Sequence, residues 1–175
     1  MDVKNDLRSK IRDIPDYPKP GILFKDITPM LSDAKSFSDC ISELCKEVES
    51  KVGTIDYVLG IEARGFIIGS ALAYKMGVGF IPARKKGKLP YKKISVDYTI
   101  EYGKDTIEVH EDSVPKGSRV LIADDLLATG GTAKAAATLV EKLGGTVSGF
   151  AFVIWLSQLE GEKLIGSDPI YLIKY

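Results

Sequence analysis

Residues 119–132, Arg-Val-Leu-Ile-Ala-Asp-Asp-Leu-Leu-Ala-Thr-Gly-Gly-Thr, constrain the fold more than any other stretch of the chain. Val120 to Ala123 is a β-leaning apolar run, the pattern of a strand buried on both faces of a parallel sheet. Two carboxylates, Asp124 and Asp125, stand where such a strand would end. Ala128, Thr129, Gly130, Gly131 and Thr132 then form a small-residue turn into a helical pattern that runs through Ala137 to Leu143. Strand, turn and helix in this order build α/β sheets, whose ligands gather at the C-terminal ends of the strands. The first turn of a helix carries backbone N–H groups without intrahelical acceptors, so a glycine turn of this kind can cup an anion. The two carboxylates beside it are acceptors suited to a sugar diol. Together they predict a site for a ribose 5-phosphate unit. The run lacks G-x-x-x-x-G-K-[ST] and G-x-G-x-x-G, so neither a Walker loop nor a nicotinamide cofactor is indicated.

The rest of the chain repeats the alternation. Helices are predicted over residues 6–14 (Leu7, Ile11 and Ile14 in step), 36–51, 65–76 and 132–143. Ser36 and Asp39 suit the start of the second helix and Gly53 its end, and Gly77 ends the third. Strands are predicted at 57–61, 80–83, near 147–154 and at 170–173. Residues 94–100 and 106–110 read as a hairpin joined through Tyr102, Gly103, Lys104 and Asp105, and Pro15, Pro18, Pro20 and Gly21 enforce an irregular segment. The expectation is one α/β domain over 1–175. Its central sheet is mainly parallel and twisted, with helices on both faces, and the hairpin projects as a flap at about 85–110.

Bulk properties narrow the function. Basic and acidic residues balance at 24 each, which gives no electrostatic footprint for nucleic acid or an anionic membrane. Apolar runs are too short for a membrane span, and residues 1–6 lack the apolar stretch of a signal peptide. Cys40 and Cys45 share one predicted helix and His110 is the single histidine, so no zinc spacing exists. Reduced thiols in a cytoplasmic protein are the expectation. His110 and Trp155 are given no functional part.

Three further segments carry chemistry. In residues 59–67, Leu-Gly-Ile-Glu-Ala-Arg-Gly-Phe-Ile, a strand ends and Glu62, Ala63, Arg64 and Gly65 turn into a helix. The guanidinium fork of Arg64 can clamp a second phosphate cluster there. Residues 84–93 concentrate six cations just after another strand, and Arg84 sits nearest its rigid end. A locally basic mouth attracts a diphosphate. Lys92 and Lys93 read as solvated. In residues 20–28, an irregular strand exposes Leu23 and Phe24 to something flat, and a backbone N–H and C=O two residues apart there can read one flat ligand edge.

The run Asp124–Thr132 resembles the phosphoribosyl-diphosphate (PRPP) loop of the type I phosphoribosyltransferases, and its wording is similar to that of the members that act on adenine. The resemblance extends from Ile14 to Tyr171 through four motifs in the family's order. It implies that Asp124 and Asp125 hold the ribose hydroxyls, and that Ala128, Thr129, Gly130, Gly131 and Thr132 hold the 5′-phosphate. Glu62, Ala63, Arg64 and Gly65 would form the pyrophosphate loop, with Arg84, Lys85 and Lys88 around the same group. Leu23, Phe24 and Lys25, in a base-recognition segment at about 15–30, would read adenine. Most relatives have Arg where Lys25 stands, but the contact there is by main chain. Tyr98-Thr-Ile-Glu-Tyr-Gly-Lys104 resembles the family's mobile hood, whose acid approaches the base, which maps to Glu101. Family members acting on 6-oxopurines carry a carboxylate where this chain has Ala128, so Glu101 is the implied acid. Glu101, Arg64 and Arg84 are thus the expected catalytic residues.

The implied reaction converts adenine and PRPP to AMP and pyrophosphate. Mg²⁺ would be held by PRPP and water rather than by protein ligands, and the implied assembly is a homodimer. Two alternatives stay open from sequence: a transferase for another base, and a PRPP-binding regulator of the same fold.

Overall fold

A computed structural model describes residues 3–100 and 103–175. In chain order the elements are α1 (Val3–Ser9), β1 (Arg12–Pro15), β2 (Leu23–Asp26), α2 (Thr28–Ser32), α3 (Ala34–Lys51), β3 (Tyr57–Ile61), α4 (Arg64–Met76), β4 (Gly79–Lys85), β5 (Lys93–Ile100), β6 (Gly103–His110), β7 (Arg119–Leu127), α5 (Gly131–Lys142), β8 (Thr146–Trp155), a 3₁₀ turn (Ser157–Leu159), α6 (Gly161–Ile165) and β9 (Ile170–Lys174).

Seven strands form one sheet in the order β5-β6-β4-β3-β7-β8-β9. Strands β4, β3, β7, β8 and β9 run parallel. Counted among themselves, these five lie in the order 2-1-3-4-5. Chain order therefore reverses between β3 and β7, and the crevice at such a switch point is where doubly wound sheets bind ligands. The turns after β3 and β7, both singled out by sequence, open into that crevice.

Apolar residues alternate along β7 between the two faces. Leu121 and Ala123 pack with Leu44, Val48, Ile68 and Leu72 of α3 and α4. Val120 and Ile122 pack with Ala136, Leu139 and Val140 of α5. Both Cys40 and Cys45 are free thiols buried on the first of these faces, and burial pushes Cys40 up to about 12.

Four expectations need correction. Residues 6–14 are not one helix: α1 stops at Ser9 and residues 12–15 pair antiparallel with β2, because cross-strand pairing overrides a three-residue helical period. Helix α3 is capped by Asp33, whose carboxylate accepts the Ser36 N–H at 2.7 Å, rather than by Ser36 or Asp39, while Gly53 (φ 78°) ends it as expected, just after the cap residue Val52. The β5–β6 hairpin is longer than expected and is not detached from the sheet, since β6 pairs with β4 through Arg84–Glu108 and Lys85–Ile107. Finally, β7 runs on to Leu127, so the acid pair lies inside the strand and not beyond it. Pairing with β8 (Asp124–Phe152, Leu126–Ile154, Leu127–Trp155) supplies that extension.

Candidate active site

Strand geometry separates the two acids. Successive residues of a strand face opposite sides. Asp124 lines a small cavity of about 80 Å³ with Leu126, Leu127 and the turn Ala128–Thr132, whereas Asp125 is buried against Arg64, with Nε to Oδ2 at 2.9 Å. Asp124 Oδ1 accepts the N–H of Asp125 at 2.8 Å. Burial raises the Asp124 carboxyl well above its ordinary value, and the neighbouring charge of Asp125 raises it further. Burial also raises Asp125, against the opposing pull of Arg64.

The turn itself is shaped for an anion. Gly130 takes a left-handed conformation (φ 84°) and caps α5, which begins at Gly131. The N–H of Lys134 already bonds the Gly130 carbonyl at 2.9 Å. The N–H groups ahead of it lie in the turn that has no intrahelical acceptors. Their partial positive charge and the helix dipole both favour a phosphate there. Gly131 is needed for a second reason: a Cβ on it would lie 2.8 Å from the Thr99 carbonyl oxygen of the hairpin. Backbone of β5 thus rests on the first residue of α5, and Tyr98 reaches Asp105 at 3.3 Å beside it.

The turn after β3 sits across the crevice. A Cβ on Gly65 would be 2.8 Å from Asp124 Oδ1, so only glycine lets α4 start this close to β7. The Glu62–Ala63 peptide is cis, and Ala63 is exposed. Glu62 accepts from Arg84 Nε (3.3 Å), from Arg84 Nη2 (3.2 Å) and from the Lys85 N–H (2.9 Å). Burial works to raise the Glu62 carboxyl, but Arg84 and the Lys85 N–H hold it below its ordinary value. Its side chain is therefore the counter-ion that aims Arg84. Lys85 pairs with Asp105 at 3.4 Å, and the Lys88 carbonyl accepts from Arg84 at 3.1 Å.

A larger cavity of about 330 Å³ adjoins the first. Strand β2 supplies Leu23, Phe24 and Lys25 to it, and Arg64, Leu156 and Leu159 close it. Its volume is at the lower end for small-molecule sites. Opposite Leu23 stands Pro15, which has no N–H, so the Leu23 carbonyl receives no ladder bond from that partner. The Lys25 side chain points away from any ligand: its Nζ bonds Asp13 at 2.7 Å and lies 3.8 Å from the Tyr175 ring centre. Only its main chain is offered, which suits a position where Lys replaces Arg. The Arg64 guanidinium lies over the Phe24 ring at 4.8 Å.

Sequence reasoning brought Leu23, Phe24, Arg64, Asp124 and the turn to one crevice, with Arg84 and Lys85 on the neighbouring strand end. It missed Leu156 and Leu159, which no local pattern marks, and the Arg64–Asp125 pair, which joins the ends of two strands. Glu101 lies outside the described residues. His110 is half-buried and edge-on to Tyr91 at 5.9 Å. Trp155 packs on Tyr171 at 4.9 Å.

This strand order, with an anion cup and an acid pair at its switch point, defines a phosphoribosyl-transfer domain. The family model described as "Phosphoribosyl transferase domain" matches residues 30–171, and the chain belongs to that family. Within it, the similar proteins are adenine phosphoribosyltransferases. The one from Nostoc punctiforme is 55% identical over 174 residues, covering 97% of this chain and 99% of that protein. The one from Brachyspira hyodysenteriae is 54% identical, with the same coverage. The crystal structure of the Thermoanaerobacter pseudethanolicus enzyme superposes with a TM-score of 0.95 at 51% identity, covering 98% of this chain and 99% of that one. The Saccharomyces cerevisiae enzyme, solved with adenine and an imino-altritol bisphosphate, gives 0.94 at 37% identity, covering 97% and 98%.

Proposed function

We infer that this protein is an adenine phosphoribosyltransferase, which joins adenine to the 5-phosphoribosyl group of PRPP and releases pyrophosphate in purine salvage. The observation that carries the site reading is the continuity of the two cavities: Leu126, Ala128, Thr129 and Thr132 line both. A base in the larger and a phosphate in the smaller are parts of one nucleotide.

In the reaction N9 of adenine attacks C1′, the bond from C1′ to the pyrophosphate oxygen breaks on the opposite face, and the N9 proton is lost. Charge develops on the sugar as a cation and on the leaving group as an anion. Thr129 to Thr132 hold the 5′-phosphate and Asp124 the ribose hydroxyls, with Asp125 behind it against Arg64, so C1′ is presented at the crevice. Arg84, aimed by Glu62, and the nearby Lys85 and Lys88 neutralise the leaving pyrophosphate. Arg64, which pairs with Asp125 and lies over Phe24, is assigned to the same group. The Leu23 carbonyl accepts from the adenine 6-amino group, and the Lys25 N–H donates to N1. Phe24 packs on the ring.

A divalent cation prefers oxygen ligands and keeps several waters. Asp125 is engaged by Arg64 and Asp124 by a backbone N–H, so the residues present fit a Mg²⁺ held by the oxygens of PRPP with Asp124 close by. When bound it would offset charge on the departing pyrophosphate. The working unit is a homodimer in the cytoplasm, with the basic segment after β4 reaching toward a second copy.

A turnover assay with PRPP, Mg²⁺ and a panel of bases tests this reading. AMP from adenine, with little product from hypoxanthine or guanine, is the expected result. Strong turnover of a 6-oxopurine would keep the PRPP site and overturn the adenine assignment. PRPP binding without any turnover would instead mark a regulator.

Glu101 is assigned the acid that approaches the base. Glu101→Gln should lower kcat while leaving the KM for adenine within about twofold, because the acid acts in the transition state. A rise in KM at constant kcat would reduce Glu101 to a binding residue.

A further inference from the structure

The turn that starts α6 touches the 5′-phosphate loop with nothing but backbone between them. A Cβ on Gly161 would fall 2.2 Å from the Ala128 carbonyl oxygen and 3.0 Å from the Gly130 nitrogen. In return, a Cβ on Gly130 would fall 2.6 Å from the Gly161 carbonyl oxygen. Gly161 is buried, and Glu160 before it is held at φ 53°, a left-handed conformation that is uncommon outside glycine. Atoms in such contact cannot be separated by a methyl group without moving one of the two segments, and any shift taken up by the loop changes its shape. Loop geometry matters because Gly130 and its neighbours must hold their N–H groups on one phosphate.

We propose that Gly161 is a positioning residue for PRPP: its bare backbone is the rear wall against which residues 128–130 are set in their anion-binding shape. The proposal rests on the reading of that loop as the 5′-phosphate cup. Gly161 touches no substrate in it. The same segment sends Leu159 into the base cavity, so one short stretch, unmarked in sequence, backs both subsites.

Gly161→Ala should raise the KM for PRPP about tenfold or more, since misplacement of a binding group by an ångström can cost up to about a hundredfold. The KM for adenine should rise less than that for PRPP, because only Ala128 and Thr129 of the displaced loop line the base cavity. Gly166→Ala is the control. Gly166 ends the same helix at φ 74° with open space around it, so this variant strains α6 without touching the loop. An unchanged PRPP KM in Gly161→Ala, or an equal rise in Gly166→Ala, overturns the proposal.

A measurement on the unmodified protein covers the case in which Gly161→Ala does not fold. Hydrogen–deuterium exchange with and without ribose 5-phosphate should show slowed exchange in residues 128–132 and in 161–165 together. Protection of 128–132 alone overturns the buttress and leaves the cup. Protection of neither overturns the cup reading itself, and the proposal with it.

Discussion

Asp124→Asn is expected to make the protein harder to melt at neutral pH and far poorer at using PRPP. The Asp124 carboxyl is held well above its ordinary value of 3.8 by burial and by Asp125. The folded state therefore holds that proton more tightly than the unfolded chain does. Where the native state binds more protons, stability falls as pH rises. The loss begins in the ordinary carboxyl range, grows as pH climbs toward the raised native value, and stays in force above it. Below the ordinary range both states are protonated and the cost vanishes. The asparagine keeps the acceptor for the Asp125 N–H and removes the charge. Melting curves of both proteins from pH 4 to pH 8 should diverge with rising pH, the variant ahead. Comparing the two cancels the opposite trend of Asp26 and Asp56, each lowered to about 2 by hydrogen bonds, to Thr28 and Arg12 for Asp26 and to Arg119 for Asp56. Catalysis should move the other way. A hydrogen bond to a charged group is worth about 1.5–3 kcal/mol, which is roughly 10- to 150-fold in kcat/KM for PRPP. A variant that melts no higher at pH 7 would show that the acid is not strained, and an unchanged PRPP constant would remove it from the ribose site.

Removal of Arg64 should do the reverse to stability. Asp125 is buried, and Arg64 is its charged partner at 2.9 Å. Arg64→Ala leaves that carboxylate unpaired. Breaking a buried pair costs several kcal/mol, but the Arg64 side chain is 36% exposed, so a discounted loss of about 1–3 kcal/mol is expected. Adding Asp125→Asn removes the stranded charge and should restore most of the melting temperature. Activity should not return in the double variant, because Arg64 is also proposed to serve pyrophosphate and its guanidinium lies on Phe24 in the base cavity. PRPP and adenine constants should both worsen in Arg64→Ala. A single variant that melts with the parent would mean the pair contributes nothing. Recovery of turnover in the double variant would make Arg64 a structural counter-ion only.

The sheet was largely legible because its central strands are continuous apolar runs, and β3 falls at the expected 57–61. Long-range pairing set the parts that local pattern got wrong. Asp is a poor strand residue, so the acid pair reads as following β7; pairing with β8 carries the strand through it. That shift matters chemically, since inside a strand the two acids face opposite ways and take different partners. Residues 12–15 have a helical period, yet they are claimed by β2. The glycine turn after β7 and the segment 20–28 could be singled out from sequence because each is one contiguous motif, and the structure brings both to one crevice. Leu159, Gly161 and the Arg64–Asp125 pair were not, because each depends on which distant segment the topology lays alongside.

The contact between Thr99 of the flap and Gly131 of the phosphate helix has a thermodynamic consequence. Two parts that share a backbone contact cannot respond independently, and linkage makes the influence equal in both directions. Whatever free energy a bound phosphate lends to closing the flap is returned as tighter phosphate binding when the flap is down. If the turn holds the 5′-phosphate and the flap closes on the sugar, covering the reacting centre and gripping its far end are one equilibrium.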